Sequence, residues 1–266
     1  MTTEVRAAPI LQLKDVTLAF GGTRALEAVS FDVMPGEILG IVGPNGAGKT
    51  SLLNCMNALV RPQSGRIYFK DKQLVGLPSH QVIRLGIGRT FQGVSVQLDA
   101  TVAENILSGR DFLMHYGLFA AMVFWGPART AESRHRAKVE EVIEFLEIER
   151  FRDRPTGSLP WGQQKLVEIG RALAGEPLLM LLDEPTSGMT REEKEGVARS
   201  MLRMQEEMSI TQVLIEHDTS FVSDICDRIV ALDFGRVIAT GSPEEVLNDP
   251  QVAAAFLGVV DTTQAN

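Results

Sequence analysis

The chain has 266 residues, a length that allows one large domain with a full hydrophobic core. Acidic residues outnumber basic ones by 34 to 26, so the net charge is −8, which argues against a general nucleic-acid-binding protein. The two cysteines, Cys55 and Cys226, stand outside any Cys/His cluster. This pattern argues against a disulfide framework or a zinc site and favours a reducing compartment.

The first forty residues alternate β-rich runs with turns at Gly21-Gly22 and Pro35-Gly36. The apolar run Ile38–Val42 is typical of a parallel strand that is buried on both faces. For this part of the chain we predict strands over Leu11–Phe20, Val29–Val33, Glu37–Val42 and Arg66–Phe69, and a helix over about Gly48–Leu59.

The middle of the chain, from Val102 to Leu173, has helical periodicity, with an apolar stripe from Val139 to Leu146. After Pro177 the alternation of strands and helices returns. There we predict strands over Leu178–Leu182 and Thr211–Glu216, helices over Arg191–Met208 and Ser220–Asp227, a hairpin of Arg228–Asp233 and Val237–Thr240, and short final helices.

The N-terminal residues carry Glu4 and Arg6 and no apolar run, so they do not resemble a secretory signal. The uncharged stretch from Phe112 to Ala128 is shorter than the roughly 20 apolar residues that span a bilayer. We therefore expect a soluble chain. The apolar segment 112–125 has three interpretations: core of a helical lobe, a contact with a membrane protein, or a contact with the lipid surface.

A phosphate-binding loop follows the buried strand. Its sequence GPNGAGKT matches the pattern G-x-x-x-x-G-K-[ST] at every fixed position. Glycines let backbone N–H groups surround phosphate oxygens, the lysine reaches the β and γ phosphates, and the threonine hydroxyl is a ligand for Mg²⁺. The predicted nucleotide-binding residues of this loop are Gly43, Pro44, Asn45, Gly46, Ala47, Gly48, Lys49, Thr50 and Ser51.

A second acidic site follows the apolar run Leu178–Leu182. Asp183 and Glu184 end this predicted strand, and the carboxyl ends of parallel strands lie beside the phosphate loop. We predict that Asp183 holds Mg²⁺ and that Glu184 polarises the attacking water.

Further motifs accompany these two in a fixed order. Gln92 ends Arg89-Thr-Phe-Gln92, His217 stands in Glu216-His-Asp218, and between them lies the run of Leu159, Pro160, Trp161, Gly162 and Gln163. The ordered set resembles the ATP-binding cassette (ABC) family of transporter ATPases over about Ile10 to Gly258. It looks closest to the ATP-binding subunits of branched-chain amino acid importers, with urea-importer subunits nearby because of Ser187–Thr190.

The resemblance implies an α/β fold: a P-loop NTPase cassette with a RecA-like α/β core, an antiparallel β subdomain and a helical subdomain. It implies a single ABC ATPase domain over 1–266, with 1–92 and 156–266 forming the core and β subdomain, and 93–155 the helical subdomain.

The resemblance also implies residue roles. Phe20 matches the aromatic side chain that stacks on adenine, and the less favoured alternative is a core residue of its strand. Gln92 matches a ligand of Mg²⁺ that also touches the attacking water, which gives a metal set of Thr50, Gln92 and Asp183. His217 matches the histidine that contacts the γ-phosphate, which gives a catalytic set of Glu184, His217 and Gln92.

The implied activity is ATP hydrolysis with Mg²⁺, coupled to uptake of a small polar solute such as branched-chain amino acids; urea, other amides and aromatic acids are alternatives. The implied partners are two transmembrane permease subunits, a second and different ABC ATPase subunit, and indirectly a periplasmic or extracellular solute-binding protein. No nucleic-acid partner is expected. The implied location is the cytoplasmic face of the inner membrane, as a peripheral subunit.

The motif Leu159–Gln163 departs from the family signature L-S-G-G-Q, which acts on the ATP of a partner cassette. Pro160 replaces a serine whose hydroxyl would touch the γ-phosphate, and proline has no backbone donor. The Gly162 amide is retained at the start of a helix predicted over about Gly162–Ala174, whose dipole favours phosphate. Our hypothesis is that this chain's own ATP site is competent and that the site it completes for its partner is weakened.

Other functions fit less well. ABC ATPases of DNA repair or chromosome organisation carry a long coiled coil between the phosphate loop and the signature, and no sustained heptads occur here. Translation-type ABC factors usually carry two cassettes, and this chain has one phosphate loop and an acidic balance. A simple P-loop kinase or GTPase would not be expected to have Gly162-Gln163 and His217 in this order. A cassette that binds ATP without hydrolysing it remains an alternative.

Overall fold

Two β-sheets organise the chain in the computed structural model, which describes residues 8–113 and 127–257. The strands are β1 Leu11–Phe20, β2 Thr23–Val33, β3 Ile38–Val42, β4 Ser64–Phe69, β5 Lys72–Gln73, β6 Ile87–Arg89, β7 Leu179–Asp183, β8 Thr211–Ile215, β9 Arg228–Asp233 and β10 Arg236–Gly241. A six-stranded sheet has the strand order β10-β9-β3-β8-β7-β6, in which all strands are parallel except β10. A four-stranded antiparallel sheet has the order β2-β1-β4-β5.

The central strands β3, β7 and β8 are buried at every position. Alternate residues feed two hydrophobic clusters, because successive side chains of a strand point to opposite faces. Ile38 and Val42 join a cluster with the helices, whereas Leu39 and Ile41 join a cluster with the antiparallel sheet. The six-stranded sheet is therefore covered on both faces, which explains why its central strands contain so few polar residues.

Helices surround the six-stranded sheet. Within the described residues they are α1 Lys49–Met56, α2 Ser79–Arg84, α3 Val102–Ser108, α4 Pro127–Phe145, α5 Trp161–Ala174, α6 Arg191–Met208, α7 Thr219–Ile225, α8 Pro243–Leu247 and α9 Pro250–Leu257. Helices α3, α6 and α8 begin at capping boxes formed by Thr101 with Glu104, Thr190 with Glu193 and Ser242 with Glu245. None of the helices in the described ranges is long and apolar enough to cross a bilayer.

The architecture confirms the predicted fold class, a mixed α/β cassette with an added antiparallel sheet. Most predicted boundaries shift by one or two residues, and two differ by more. Strand β2 begins at Thr23 instead of Val29, because exposed Arg24 and a left-handed Ala28 (φ 49°) hide its alternation. Helix α1 ends at Met56 instead of Leu59, since Ala58 adopts a left-handed backbone (φ 52°).

The helical layer consists of α3, α4 and α5, which pack on one another. The predicted apolar stripe is confirmed, because Val139, Val142 and Ile143 are buried in α4. Helix α5 lies outside the range 93–155, so the division of the chain into subdomains stays a prediction. The apolar segment 112–125 falls, beyond Leu113, outside the described residues.

Two glycines of the helices provide a matched test of this packing. A Cβ on Gly170 in α5 would lie 2.8 Å from Leu146 Cδ1 and 3.2 Å from Ile106 Cδ1, whereas a Cβ on Gly196 in α6 would meet nothing within 4 Å. We expect Gly170→Ala to lower the free energy of unfolding by about 1–3 kcal/mol through overpacking. Gly196→Ala should raise it by about 0.5–1 kcal/mol through helix propensity. Urea denaturation of both variants measures this, and equal effects would contradict the packing described.

Candidate functional site

The candidate site lies at one edge of the six-stranded sheet, where parallel strands bring their carboxyl ends together. Strand β3 leads into the loop that begins at Gly43, and β7 ends at Asp183 with Glu184 next. Strand β8 leads to His217, and β6 leads to Gln92. Because β6, β7, β8 and β3 are parallel neighbours, residues that are up to 174 positions apart in sequence meet at this edge.

The phosphate loop needs its glycines for two physical reasons. Gly43, Gly46 and Gly48 have φ values of 148°, 83° and 101°, a region that side-chain-bearing residues rarely adopt. A Cβ on Gly43 would also collide with the carbonyl oxygen of Leu232, and one on Gly48 with that of Ala25. Gly48 is the N-cap residue of α1, so the unpaired amides of the first turn face the loop and could bind an anion.

Lys49 is the buried cation of the loop, with 6% of its surface exposed. Its Nζ donates to the carbonyl oxygens of Gly43 at 2.7 Å and Pro44 at 2.9 Å. Burial lowers the pKa of Lys49, and the carboxylates of Glu184 and Asp183 act in the opposite direction. The ammonium group therefore lies at the loop, close to two acids, in a position from which it could reach a phosphate.

Asp183 ends strand β7 almost fully buried, with 1% exposed. Its Oδ2 lies 3.5 Å from Nη2 of Arg89, and its Oδ1 has no hydrogen-bond partner among the described residues. Burial raises the pKa of Asp183, and the charge of Arg89 partly opposes this. An unpaired carboxylate oxygen at this depth suits a cation, and together with the Thr50 hydroxyl and the Gln92 amide it offers the oxygen donors that Mg²⁺ prefers.

Glu184 is held between two side chains from neighbouring strands. Its Oε1 lies 2.9 Å from His217 Nε2, and its Oε2 accepts a hydrogen bond from Gln92 Nε2 at 3.2 Å. The Glu184 backbone is left-handed (φ 48°), and its N–H donates to the Ile215 carbonyl on β8. Backbone strain of this kind persists where the surrounding structure holds a residue in place.

Part of this set lines a cleft of about 270 Å³, and neither Asp183 nor Gly43 is among its described lining residues. The cleft brings together most of the residues that the sequence predicted for nucleotide, metal and water. Its lining consists of Ala25, Asn45, Gly46, Gly48, Lys49, Thr50, Ser51, Gln92, Glu184 and His217. None of the described residues that line it belongs to Leu159–Gln163.

Phe20 lies at the end of β1, beside the Gly21-Gly22 turn, and is 53% exposed. The alternative in which Phe20 is a core residue of its strand is therefore wrong. Strand β2, which pairs with β1, contributes Ala25 to the cleft. The stacking of Phe20 on adenine stays a prediction.

The predicted signature residues lie at the start of α5. Leu159 is buried, Pro160 is exposed, and Trp161 Nε1 donates to the Ser187 carbonyl at 3.0 Å. The helix begins at Trp161, one residue earlier than predicted. The Gly162 amide donates to Glu193 Oε1 at 3.2 Å, so a carboxylate of this chain already uses the amide that the sequence assigned to a partner's phosphate.

Sequence patterns gave no role to two buried charged residues of the site. Glu216 accepts hydrogen bonds from the amide and hydroxyl of Thr186 at 2.8 and 2.6 Å, and so holds the turn that follows Glu184. Arg89 contacts Asp183 and lies with its guanidinium carbon 4.8 Å from the Phe91 ring centroid, next to Gln92. Their positions in the sequence could have indicated a role at the site, since Glu216 directly follows β8 and Arg89 ends β6.

Comparison with known proteins agrees with this geometry. The family model described as "ABC transporter" matches residues 26–187, and the model described as "Branched-chain amino acid ATP-binding cassette transporter" matches residues 236–262. The chain therefore belongs to the ABC transporter ATPase family, and it is an ATP-binding subunit of that family and an ATP hydrolase.

Among its relatives is the high-affinity branched-chain amino acid transport ATP-binding protein LivG of Escherichia coli K12, which is 34% identical over 94% of this chain and 98% of its own length. BraF of Pseudomonas aeruginosa, which has the same description, is also 34% identical, over 94% and 98%. The subunit is thus homologous to the ATPases of branched-chain amino acid transporters.

Solved structures show the same fold. The ADP conformation of MJ1267, an ATP-binding cassette of an ABC transporter, aligns with a TM-score of 0.83 and 31% identity over 95% of this chain and 100% of its own length. A nucleotide-free cassette from an ABC transporter aligns with a TM-score of 0.81 and 32% identity, over 92% and 98%. ATP binding thus has support from both the site and the relatives.

Arg89 offers a test of the electrostatics of this site. Arg89→Met removes the guanidinium that pairs with the buried Asp183 carboxylate, so we expect the free energy of unfolding to fall by about 3 kcal/mol. Arg89 lowers the pKa of Asp183, and its loss raises that pKa further. Asp183 then takes up a proton at a higher pH, and the acidic limb of the pH–rate profile for ATP hydrolysis should move to higher pH.

Arg84→Met on the exposed surface of α2 is the matched control and should change neither measurement. An unshifted acidic limb in Arg89→Met would show that Arg89 does not influence Asp183.

Proposed function

We propose that this subunit couples ATP hydrolysis to the import of a small polar solute, with branched-chain amino acids as the proposed cargo. The observation that carries the proposal is the Glu184 carboxylate, held between Gln92 and His217 in the same cleft as Lys49 and Thr50. The relatives described as branched-chain amino acid transport proteins support the choice of cargo. Ser187–Thr190 keeps urea or another amide as an alternative.

In the proposed mechanism, ATP binds with its phosphates on the loop Gly43–Ser51. Lys49 exchanges the carbonyls of Gly43 and Pro44 for the β and γ phosphates. Phe20 stacks on adenine, where a ring contact needs no hydrogen-bond pattern. The amides of the loop and the N-terminus of α1 stabilise the negative charge.

Glu184 orients the attacking water and accepts its proton, and His217 contacts the γ-phosphate while it holds Glu184 Oε1. Asp183, Thr50 and Gln92 are the proposed ligands of Mg²⁺. When bound, Mg²⁺ neutralises charge on the β and γ phosphates.

The proposed assembly pairs this chain with a second, different cassette, so that the signature of each chain acts on the ATP of the other. The absence of Leu159–Gln163 from the described lining of the cleft supports this division of labour. Two features support a weakened site on the partner: Pro160 lacks both a hydroxyl and a backbone donor, and Gly162 donates its amide to Glu193.

The proposed membrane partners are two permease subunits, fed by a solute-binding protein, with this chain on the cytoplasmic face. A groove of about 210 Å³ lies between the six-stranded sheet and the helical layer, and it supports the proposal that a segment of a permease subunit binds there. Its largely apolar lining includes Ile83, Phe91, Phe112, Ala172 and Pro177.

Purification of the tagged chain from native membranes in mild detergent tests the transport proposal. We expect two polytopic membrane proteins and a second cassette to copurify, and we expect the complex to hydrolyse ATP faster when the binding protein carries its solute. Leucine, urea and an aromatic acid are the solutes to compare. A chain recovered only from the soluble fraction, or with ribosomes or DNA, would overturn the transporter assignment.

Glu184→Gln tests the catalytic assignment in the assembled pair. The amide keeps the size of the side chain but cannot accept the proton, so we expect the rate of hydrolysis to fall at least about a hundredfold. Binding of a fluorescent ATP analogue should remain. Measuring turnover at each site separately in the unsubstituted pair tests the asymmetry, and equal turnover at the two sites would argue against it.

A further inference from the structure

Helix α5 carries an ion pair that is sealed from solvent. Lys165 Nζ lies 3.0 Å from Glu168 Oε2, and each side chain is only 1% exposed. The two residues are three positions apart, so they lie on the same face of the helix. A buried ion pair is costly to desolvate and is by itself a weak source of stability, so its other contacts are informative.

In the part of the chain that the structure describes, the other hydrogen bonds of these two side chains reach the backbone around Gln92. Lys165 Nζ donates to the carbonyl oxygens of Phe91 at 3.0 Å and Gly93 at 2.5 Å. Glu168 Oε1 accepts the amide of Phe91 at 3.1 Å. The three ammonium donors of Lys165 are thus used by two carbonyls and one carboxylate.

The held segment has no regular structure of its own. Strand β6 ends at Arg89, and Phe91–Gly93 lies in the loop beyond it, with Gly93 in a left-handed conformation (φ 83°). The pair therefore supplies partners that neighbouring strands supply elsewhere. It fixes the backbone on both sides of Gln92 while the Gln92 side chain reaches Glu184 at 3.2 Å.

The pair also stands one helical turn after Trp161, the first residue of α5. The signature and the two residues that bind the Gln92 loop, Lys165 and Glu168, therefore belong to one rigid helix. A displacement of α5 along or across its axis moves both together.

We propose that Lys165 and Glu168 are positioning residues for Gln92, which hold its loop on α5 so that Gln92 meets Glu184 only when the signature helix is in place. The proposal rests on the role of Gln92 in the proposed function. It assigns to α5 a link between this chain's own ATP site and the signature that it offers to a partner.

The test is a double-mutant cycle between Lys165→Met and Gln92→Ala, measured as steady-state ATP hydrolysis by the full-length chain in its complex. Lys165→Met should lower kcat on the order of tenfold to a hundredfold, since small misplacements of a reacting group cost this much. The KM for ATP should change less than the kcat, because the phosphate loop is untouched. In the Gln92→Ala background the same substitution should cost little further.

Arg110→Met is the matched control. Arg110 is also a buried cation against α5, where it contacts the Ala174 carbonyl at the opposite end of the helix. Its effect should combine with Gln92→Ala within about twofold of the product of the two, as expected of independent sites. Hydrogen exchange of the 90–98 segment should accelerate in Lys165→Met and stay unchanged in Arg110→Met.

Lys165→Met leaves Glu168 as an unpaired buried charge and can unfold the chain. The double variant Lys165→Met/Glu168→Gln removes both charges and carries the same expectations. Full additivity with Gln92→Ala, or loop exchange that does not change, would overturn the proposal. A Gln92→Ala variant with unchanged kcat would instead overturn the role of Gln92, and this inference with it.

Discussion

The site depends on the parallel pairing of four strands, β6, β7, β8 and β3. Each strand delivers its chemical group at its carboxyl end: Gln92 after β6, Glu184 after β7, His217 after β8 and the phosphate loop after β3. Parallel neighbours end at the same edge, so the hydrogen-bond register of the sheet sets the distances between these groups. Strands β3, β7 and β8 are buried at every position, since both faces of the sheet are covered.

The charged groups at this edge differ in how many hydrogen-bond partners the protein gives them. Lys49 is held by loop carbonyls, and Glu184 is bonded on both oxygens. Asp183 has one oxygen near Arg89 and one that has no partner within residues 8–113 and 127–257. A group that is fully satisfied within the protein stays in place, whereas an unpaired oxygen at depth suits a cation. The two bonded oxygens of Glu184 suit its proposed role of positioning water, and the unbonded oxygen of Asp183 suits its proposed role as a ligand of Mg²⁺.

Helix α5 connects regions that the sequence presents as separate motifs. Its first turn carries Trp161 and Gly162, which contact Ser187 and Glu193 in the segment that follows Glu184. Its second turn carries Lys165 and Glu168, which hold the Gln92 loop. One element therefore contacts both of the segments that supply water-positioning groups, and its position is coupled to theirs.

The sequence by itself determined the fold class, most strand and helix positions and the phosphate loop. These depend on local patterns: apolar runs for buried strands, 3.6-residue periodicity for helices, and glycines that must adopt left-handed backbone. The sequence also located Asp183 and Glu184, because they end the apolar run of β7, and the resemblance to a known family pointed to His217.

Only the tertiary structure decided which groups share contacts across long stretches of chain. The left-handed backbone of Ala28 concealed the first half of β2 from the sequence pattern. No local pattern indicates that Glu193 accepts a hydrogen bond from the Gly162 amide, or that Lys165 donates to the carbonyl oxygens of residues 91 and 93. The partners in these three contacts are 31, 74 and 72 positions apart. Such contacts follow from how helices pack on the sheet, and a sequence carries no periodicity that records them.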